Sequence, residues 1–165
     1  MTCIAWDGKT LAADKRVEYV GLARTVTKIF RFNNELLGIS GNGAQGNEMI
    51  EWYKAGATPA AFPPKQRERD DWASLIVIRE CGVFYYERTP HPCLVEDKIM
   101  AWGCGRDYAL AAMHLGKTAR EAVEIASVFD INCGNGEDEL SLSPPRSPGP
   151  SEPTTAWTWT ARSLG

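Results

Sequence analysis

The sequence predicts an α+β domain in which helices lie on packed sheets. Two observations predict it. Short strands separated by tight-turn signals read as antiparallel hairpins, and the helical patterns cluster, one after the first four strands and two after the next three. At 165 residues the chain is one domain by length. The ordered domain is expected over 1–142, followed by a tail over 143–165.

Thr2 to Trp6 and Thr10 to Asp14 read as the first two strands, with Asp7-Gly8 as the turn between them. A two-residue loop would set Trp6 opposite Lys9 and Thr2 opposite Ala13, bringing Asp14 beside the chain start. Thr25 to Phe32 reads as a third strand, with Val26, Lys28, Phe30 and Phe32 on one face. Asn33-Asn34 supplies a turn into a fourth strand, Glu35 to Ser40. Gly41-Asn42-Gly43 reads as a flexible loop. Ala44 to Ala55 reads as a helix with Met49, Ile50 and Tyr53 on one stripe and Gly56 as its stop.

The stretch from Ala57 to Asp71 is Pro-rich and then charged, which predicts a surface loop. Its Pro63-Pro-Lys-Gln-Arg-Glu-Arg run is read as solvated. Ser74 to Arg79 and Val83 to Glu87 form a hairpin around Cys81-Gly82, and Lys98 to Trp102 is another strand. Asp107 to Leu115 is helical and stops at Gly116. Thr118-Ala-Arg-Glu121 is a capping box that opens a helix to about Phe129. A weak strand broken by Gly134 and Gly136 falls within Asp130 to Leu142. Half of the ten prolines lie in 143–165, without apolar periodicity, so disorder is expected there.

Composition narrows the function. A net charge of -3 gives no electrostatic reason for nucleic acid or an anionic membrane as partner. No run approaches the ~20 apolar residues of a membrane helix, and no basic-then-apolar leader opens the chain. Cys3, Cys81, Cys93, Cys104 and Cys133 include no C-x-x-C pair. Neither a disulfide framework nor a zinc site is therefore expected, and a reducing cytoplasm fits. The chain has no Walker-type or dinucleotide loop, and no cofactor is expected.

A serine triad needs a histidine base, but His91 lies between prolines and His114 on a helix. Thr2 offers different chemistry. Removal of Met1 would leave it with a free α-amine beside its own hydroxyl. An α-amine has a reference pKa of about 7.7–8.0, so one residue can supply both nucleophile and base. Lys28, on an apolar strand face, is either a snorkelling side chain or a buried cation that needs a partner. Asp14 is the available partner.

Several motifs resemble proteasome β-type subunits, and among them the HslV-like peptidases. They are Thr2 at the processed start, Leu11-Ala-Ala-Asp14-Lys-Arg, Thr27-Lys28-Ile-Phe, Gly38-Ile-Ser-Gly41-Asn-Gly, Ala101-Trp-Gly-Cys104-Gly-Arg-Asp-Tyr-Ala-Leu-Ala-Ala and Asp130-Ile-Asn-Cys133. The resemblance covers about residues 2 to 140. It implies a four-layer αββα sandwich of the N-terminal nucleophile hydrolase type, and amide hydrolysis through an acyl-enzyme on Thr2. Asp14 and Lys28 match the family's aspartate and lysine, and Gly41 its oxyanion glycine. Asp130, Cys104 and Cys133 complete the candidate catalytic set, the two cysteines standing where the family usually has serines. A thiol is a weaker hydrogen-bonding group than a hydroxyl. The resemblance also implies unfolded polypeptide or peptide as substrate, a homo-oligomeric ring and an ATP-dependent unfoldase as partner. Two alternatives stay open: a non-catalytic assembly subunit, and a hydrolase of small-molecule amides.

Overall fold

The computed structural model of the chain describes residues 1–63 and 72–142. The charged run from 64 to 71 and the tail over 143–165 lie outside the described residues. Among the described residues the elements are β1 (Cys3–Trp6), β2 (Thr10–Asp14), β3 (Arg16–Tyr19), β4 (Leu22–Thr25), β5 (Ile29–Phe32), β6 (Glu35–Gly41), α1 (Gly43–Lys54), β7 (Ala73–Arg79), β8 (Gly82–Tyr86), β9 (Cys93–Val95), β10 (Met100–Gly103), α2 (Arg106–His114), α3 (Ala119–Phe129) and β11 (Glu137–Ser141). They form an α+β fold. A four-stranded sheet runs β10-β1-β2-β11 and a five-stranded sheet runs β5-β6-β7-β8-β9, with β3-β4 as a separate ribbon. Every strand pair is antiparallel.

Among the described residues, three apolar clusters hold these elements together. One joins Cys3, Ala5 and Ala12 of the smaller sheet to Ala109, Met113, Ala122 and Val123 of α2 and α3. Another joins Leu37, Leu75 and Val77 of the larger sheet to Met49, Ile50 and Tyr53 of α1. The third, with Ile4, Leu11, Leu36, Ile76 and Ile78, contains residues of both sheets. Alternation along β1 separates these roles, because Ile4 and Cys3 point to opposite faces. Each fully buried branched side chain contributes about 1.5–3 kcal/mol of burial.

The first hairpin forms in a different register from the expected one. Trp6 pairs with Leu11 and Ile4 with Ala13, so the loop is longer than two residues. The Asp7 carboxylate accepts from the backbone N–H groups of Lys9 and Thr10 at 3.0 and 2.8 Å. This local capture of two donors stabilises the wider turn.

The expected strand from Thr25 to Phe32 is broken. Residues 26–28 cross from β4 to β5, with Val26 N donating to Lys15 O at 2.8 Å and Ile39 N to Lys28 O at 2.9 Å. Val26 is consequently exposed while Lys28 is buried, so they do not share one strand face. The β3-β4 ribbon and β9 carried no sequence expectation. The ribbon turns at Val20 and Gly21, whose φ values of 52° and 75° suit a tight hairpin turn.

Gly41 ends β6, and Asn42-Gly43 is a capped helix start instead of a flexible loop. The Asn42 side chain accepts from Ala44 N and Gln45 N. The Thr118–Glu121 capping box forms with both of its hydrogen bonds. No described helix is long and apolar enough to cross a membrane.

Candidate active site

Thr2 immediately precedes β1, and the β1–β10 pairing of Cys3 with Gly103 brings the residues after β10 against it. Gly105 N and Cys104 Sγ both donate to Thr2 O, each at 3.3 Å. Thr2 N donates to Cys104 Sγ at 3.2 Å. Gly103 has φ +90°, and a Cβ there would collide with the Thr2 carbonyl. Only glycine permits this approach. Nothing in the sequence marks the packing of Gly103 and Gly105 on Thr2.

The end of β2 supplies Asp14, which is fully buried. Its Oδ1 accepts from Lys28 Nζ at 2.6 Å and from Cys3 N at 2.8 Å. Its Oδ2 accepts from Arg16 N and Gly134 N, each at 3.1 Å. Four donors therefore satisfy one buried carboxylate, as a charge removed from water requires. Lys28 is 4% exposed, so it is a buried, paired cation and does not snorkel. Its Nζ also donates to Met1 O at 3.3 Å. The Thr2 hydroxyl donates to that same Met1 oxygen.

Behind Thr2, Cys104 Sγ and Cys133 Sγ lie 3.8 Å apart, and Cys133 Sγ donates to Asp130 Oδ2 at 3.6 Å. Asp130 Oδ1 accepts from Asn132 N and Asn132 Nδ2, each at 2.9 Å. These donors, the Asn132 backbone first, hold the Asp130 carboxyl below its usual range. The hydrogen bond with Cys133 and burial push the Cys104 thiol up. The Cys133 thiol is pushed up to about 12. Its contact with Cys104 pulls the other way and is outweighed by hydrogen bonding with Cys3 and by burial. Both thiols are thus neutral near pH 7.

A cleft of ≈ 380 Å³ opens at this place, bordered by Thr2, Lys28, Gly41, Ile39 and the ribbon residues Tyr19 and Arg24. Gly41 has φ +98°, and a Cβ there would strike the Trp72 carbonyl. The structure thus gathers Thr2, Lys28 and Gly41 around one cleft, with Asp14 bonded to Lys28. Cys104, Cys133 and Asp130 stand behind Thr2. His91 and His114 are exposed. The ribbon wall went unread in the sequence, where nothing marks residues 16–25 as part of a site.

No protein-family model matches the chain, and no curated protein matches it in sequence. Its fold has clear counterparts. Thiobacillus denitrificans BPH in complex with epoxomicin superposes with a TM-score of 0.66 at 18% identity, covering 87% of this chain and 100% of that one. Thiobacillus denitrificans BPH in a second structure gives 0.64 at 21% identity, with the same coverage. Eukaryotic HslV from Trypanosoma brucei gives 0.58 at 21% identity, covering 84% of this chain and 97% of that one. In fold, as in its motifs, the chain resembles the HslV-like, proteasome-type proteins.

Proposed function

We propose that the chain is a threonine peptidase subunit whose nucleophile is Thr2 once Met1 has been removed. The observation that carries this reading is the Met1 carbonyl oxygen, which accepts from both Lys28 Nζ and the Thr2 hydroxyl. Loss of Met1 removes the acceptor the two donors share. It leaves a hydroxyl, an α-amine and a buried ammonium around one cleft.

In this reading the Thr2 amine takes the hydroxyl proton while the oxygen attacks a substrate amide carbon. The Gly41 N–H, bordering the same cleft, receives the negative oxygen that forms. Collapse breaks the C–N bond, the leaving amine takes the proton, and water then hydrolyses the Thr2 ester. Lys28 favours the deprotonated oxygen electrostatically, and Asp14 holds Lys28. Cys104 orients the Thr2 nitrogen, with Cys133 and Asp130 behind it.

The three apolar clusters support a four-layer αββα arrangement for the domain spanning 1–142. Likeness in fold to HslV supports a homo-oligomeric ring acting on unfolded polypeptide, with an ATP-dependent unfoldase as partner. The free cysteines support a reducing, cytoplasmic setting.

Intact-mass analysis of the mature chain, before and after a β-lactone probe, tests the nucleophile. The expected result is a chain lacking Met1 that gains one acyl group on Thr2. Thr2→Ala should abolish both labelling and peptide hydrolysis with the fold intact, and unchanged turnover would remove Thr2 from its role. Met1 retained in active material would do the same, and Met1 retained in inactive material would favour the non-catalytic subunit.

A further inference from the structure

Cys104 and Cys133 are 29 positions apart in sequence, yet β10 and the turn after α3 bring their sulfurs to 3.8 Å. Asp130 adds a carboxylate oxygen 3.6 Å from Cys133 Sγ, and the three ligand atoms all lie within 4.8 Å of one another. Two Zn–S bonds of about 2.3 Å at a tetrahedral angle set their sulfurs about 3.8 Å apart. A Zn–S and a Zn–O bond of about 2.3 and 2.0 Å set sulfur and oxygen about 3.5 Å apart. Both separations are already present in the folded chain.

The carboxylate is also oriented as a ligand should be. Asn132 holds Asp130 Oδ1 with two donors, which leaves Oδ2 beside Cys133. Ligating carboxylates carry this kind of outer support. Cys133 is buried, while Cys104 is exposed as a residue with its sulfur only partly buried, which gives an ion a way in.

We propose that Cys104, Cys133 and Asp130 form a binding site for a thiophilic divalent cation, with Zn2+ the best geometric fit. Both thiols bind as thiolates and their protons pass to solvent. Two soft sulfur ligands select Zn2+ over Mg2+ or Ca2+. Thr2 N lies 3.2 Å from Cys104 Sγ, so a bound ion borders the residue that holds the proposed nucleophile.

Titration of the full, reduced chain with Cd2+ alone, followed by competition with Zn2+, tests the site. The expected result is one ion per chain with a thiolate-to-metal ultraviolet absorption that Zn2+ removes. Cys104→Ser with Cys133→Ser should weaken binding about 100-fold or more, and Asp130→Asn about tenfold or more. Cys81→Ser with Cys93→Ser should leave it unchanged. Binding that survives loss of Cys104 and Cys133, or that disappears with Cys81 and Cys93, overturns the proposal. Circular dichroism checks that the serine variants fold. In the unsubstituted chain Zn2+ should protect Cys104 from iodoacetamide, and equal labelling with and without Zn2+ also overturns it. These readouts need no turnover, so they stand or fall separately from the peptidase reading.

Discussion

Lys28 Nζ and Asp14 Oδ1 meet at 2.6 Å with both side chains almost wholly out of water. Removing one member of such a pair costs more than the pair itself contributes, because the other charge stays buried alone. Asp14→Ala would also strand the backbone donors of Cys3, Arg16 and Gly134. A loss of about 3–5 kcal/mol is expected in chemical denaturation. A loss below about 1 kcal/mol would mean that water reaches Lys28 readily.

Lys28→Ala removes the cation from the cleft. Hydrolysis by the processed chain should fall about 10²-fold or more. A negligible change in rate, measured beside a lowered melting temperature, would assign Lys28 to holding the fold alone.

Gly103→Ala tests the close approach to Thr2. The positive φ and the collision with the Thr2 carbonyl should cost about 1–3 kcal/mol and displace the residue. Gly116→Ala provides the comparison, since its φ of +87° carries the same strain but nothing lies near its Cβ. Labelling of Thr2 by a β-lactone should fall in the first variant and persist in the second.

Much of this site was legible as residue types. Lys28 was placed on an apolar face of a strand that the structure breaks, so its burial was only one of two open readings, with Asp14 as the available partner. The Thr118–Glu121 box read directly, because a cap is a local signal. Register was not legible. The Asp7 carboxylate captures two backbone donors and widens the loop, which a dipeptide turn signal does not encode. The Cys104–Cys133 approach depends on strand pairing between chain segments far apart, so their spacing carries no trace of it. The β3-β4 ribbon escaped because exposed residues without a buried face give no alternation to read.

Cys104→Ser places a hydroxyl at the partner of Thr2 N. A hydroxyl accepts and donates more strongly than a thiol. Turnover should rise about three- to tenfold, the equivalent of ~1 kcal/mol. A fall would show that sulfur suits this position.

Alkaline titration tests the α1 side of the molecule. Burial pushes the Tyr53 phenol up to about 12, opposed by its hydrogen bond from Arg79 and aided by Glu35. An unfolded tyrosine titrates near 10. The stability Tyr53 contributes is complete below about pH 10 and is lost as pH rises towards 12. Tyr53→Phe should remove this part of the alkaline decline in melting temperature. An unaltered decline would place its cause elsewhere.

The ribbon beside the cleft gives the two sides of that opening unlike mechanics. Thr2 and Lys28 are fixed by a sheet strand, a buried ion pair and glycines that allow no slack. Across from them, Tyr19 and Val20 stand 70% and 82% exposed on a hairpin that adds no strand to either sheet. An isolated pair of strands is stable only marginally. On the peptidase reading proposed above, the compliant side yields to bulky or awkward chains while the stiff side keeps its alignment. In the proposed peptidase, tolerance for varied cargo and accuracy of attack are therefore assigned to different pieces of backbone.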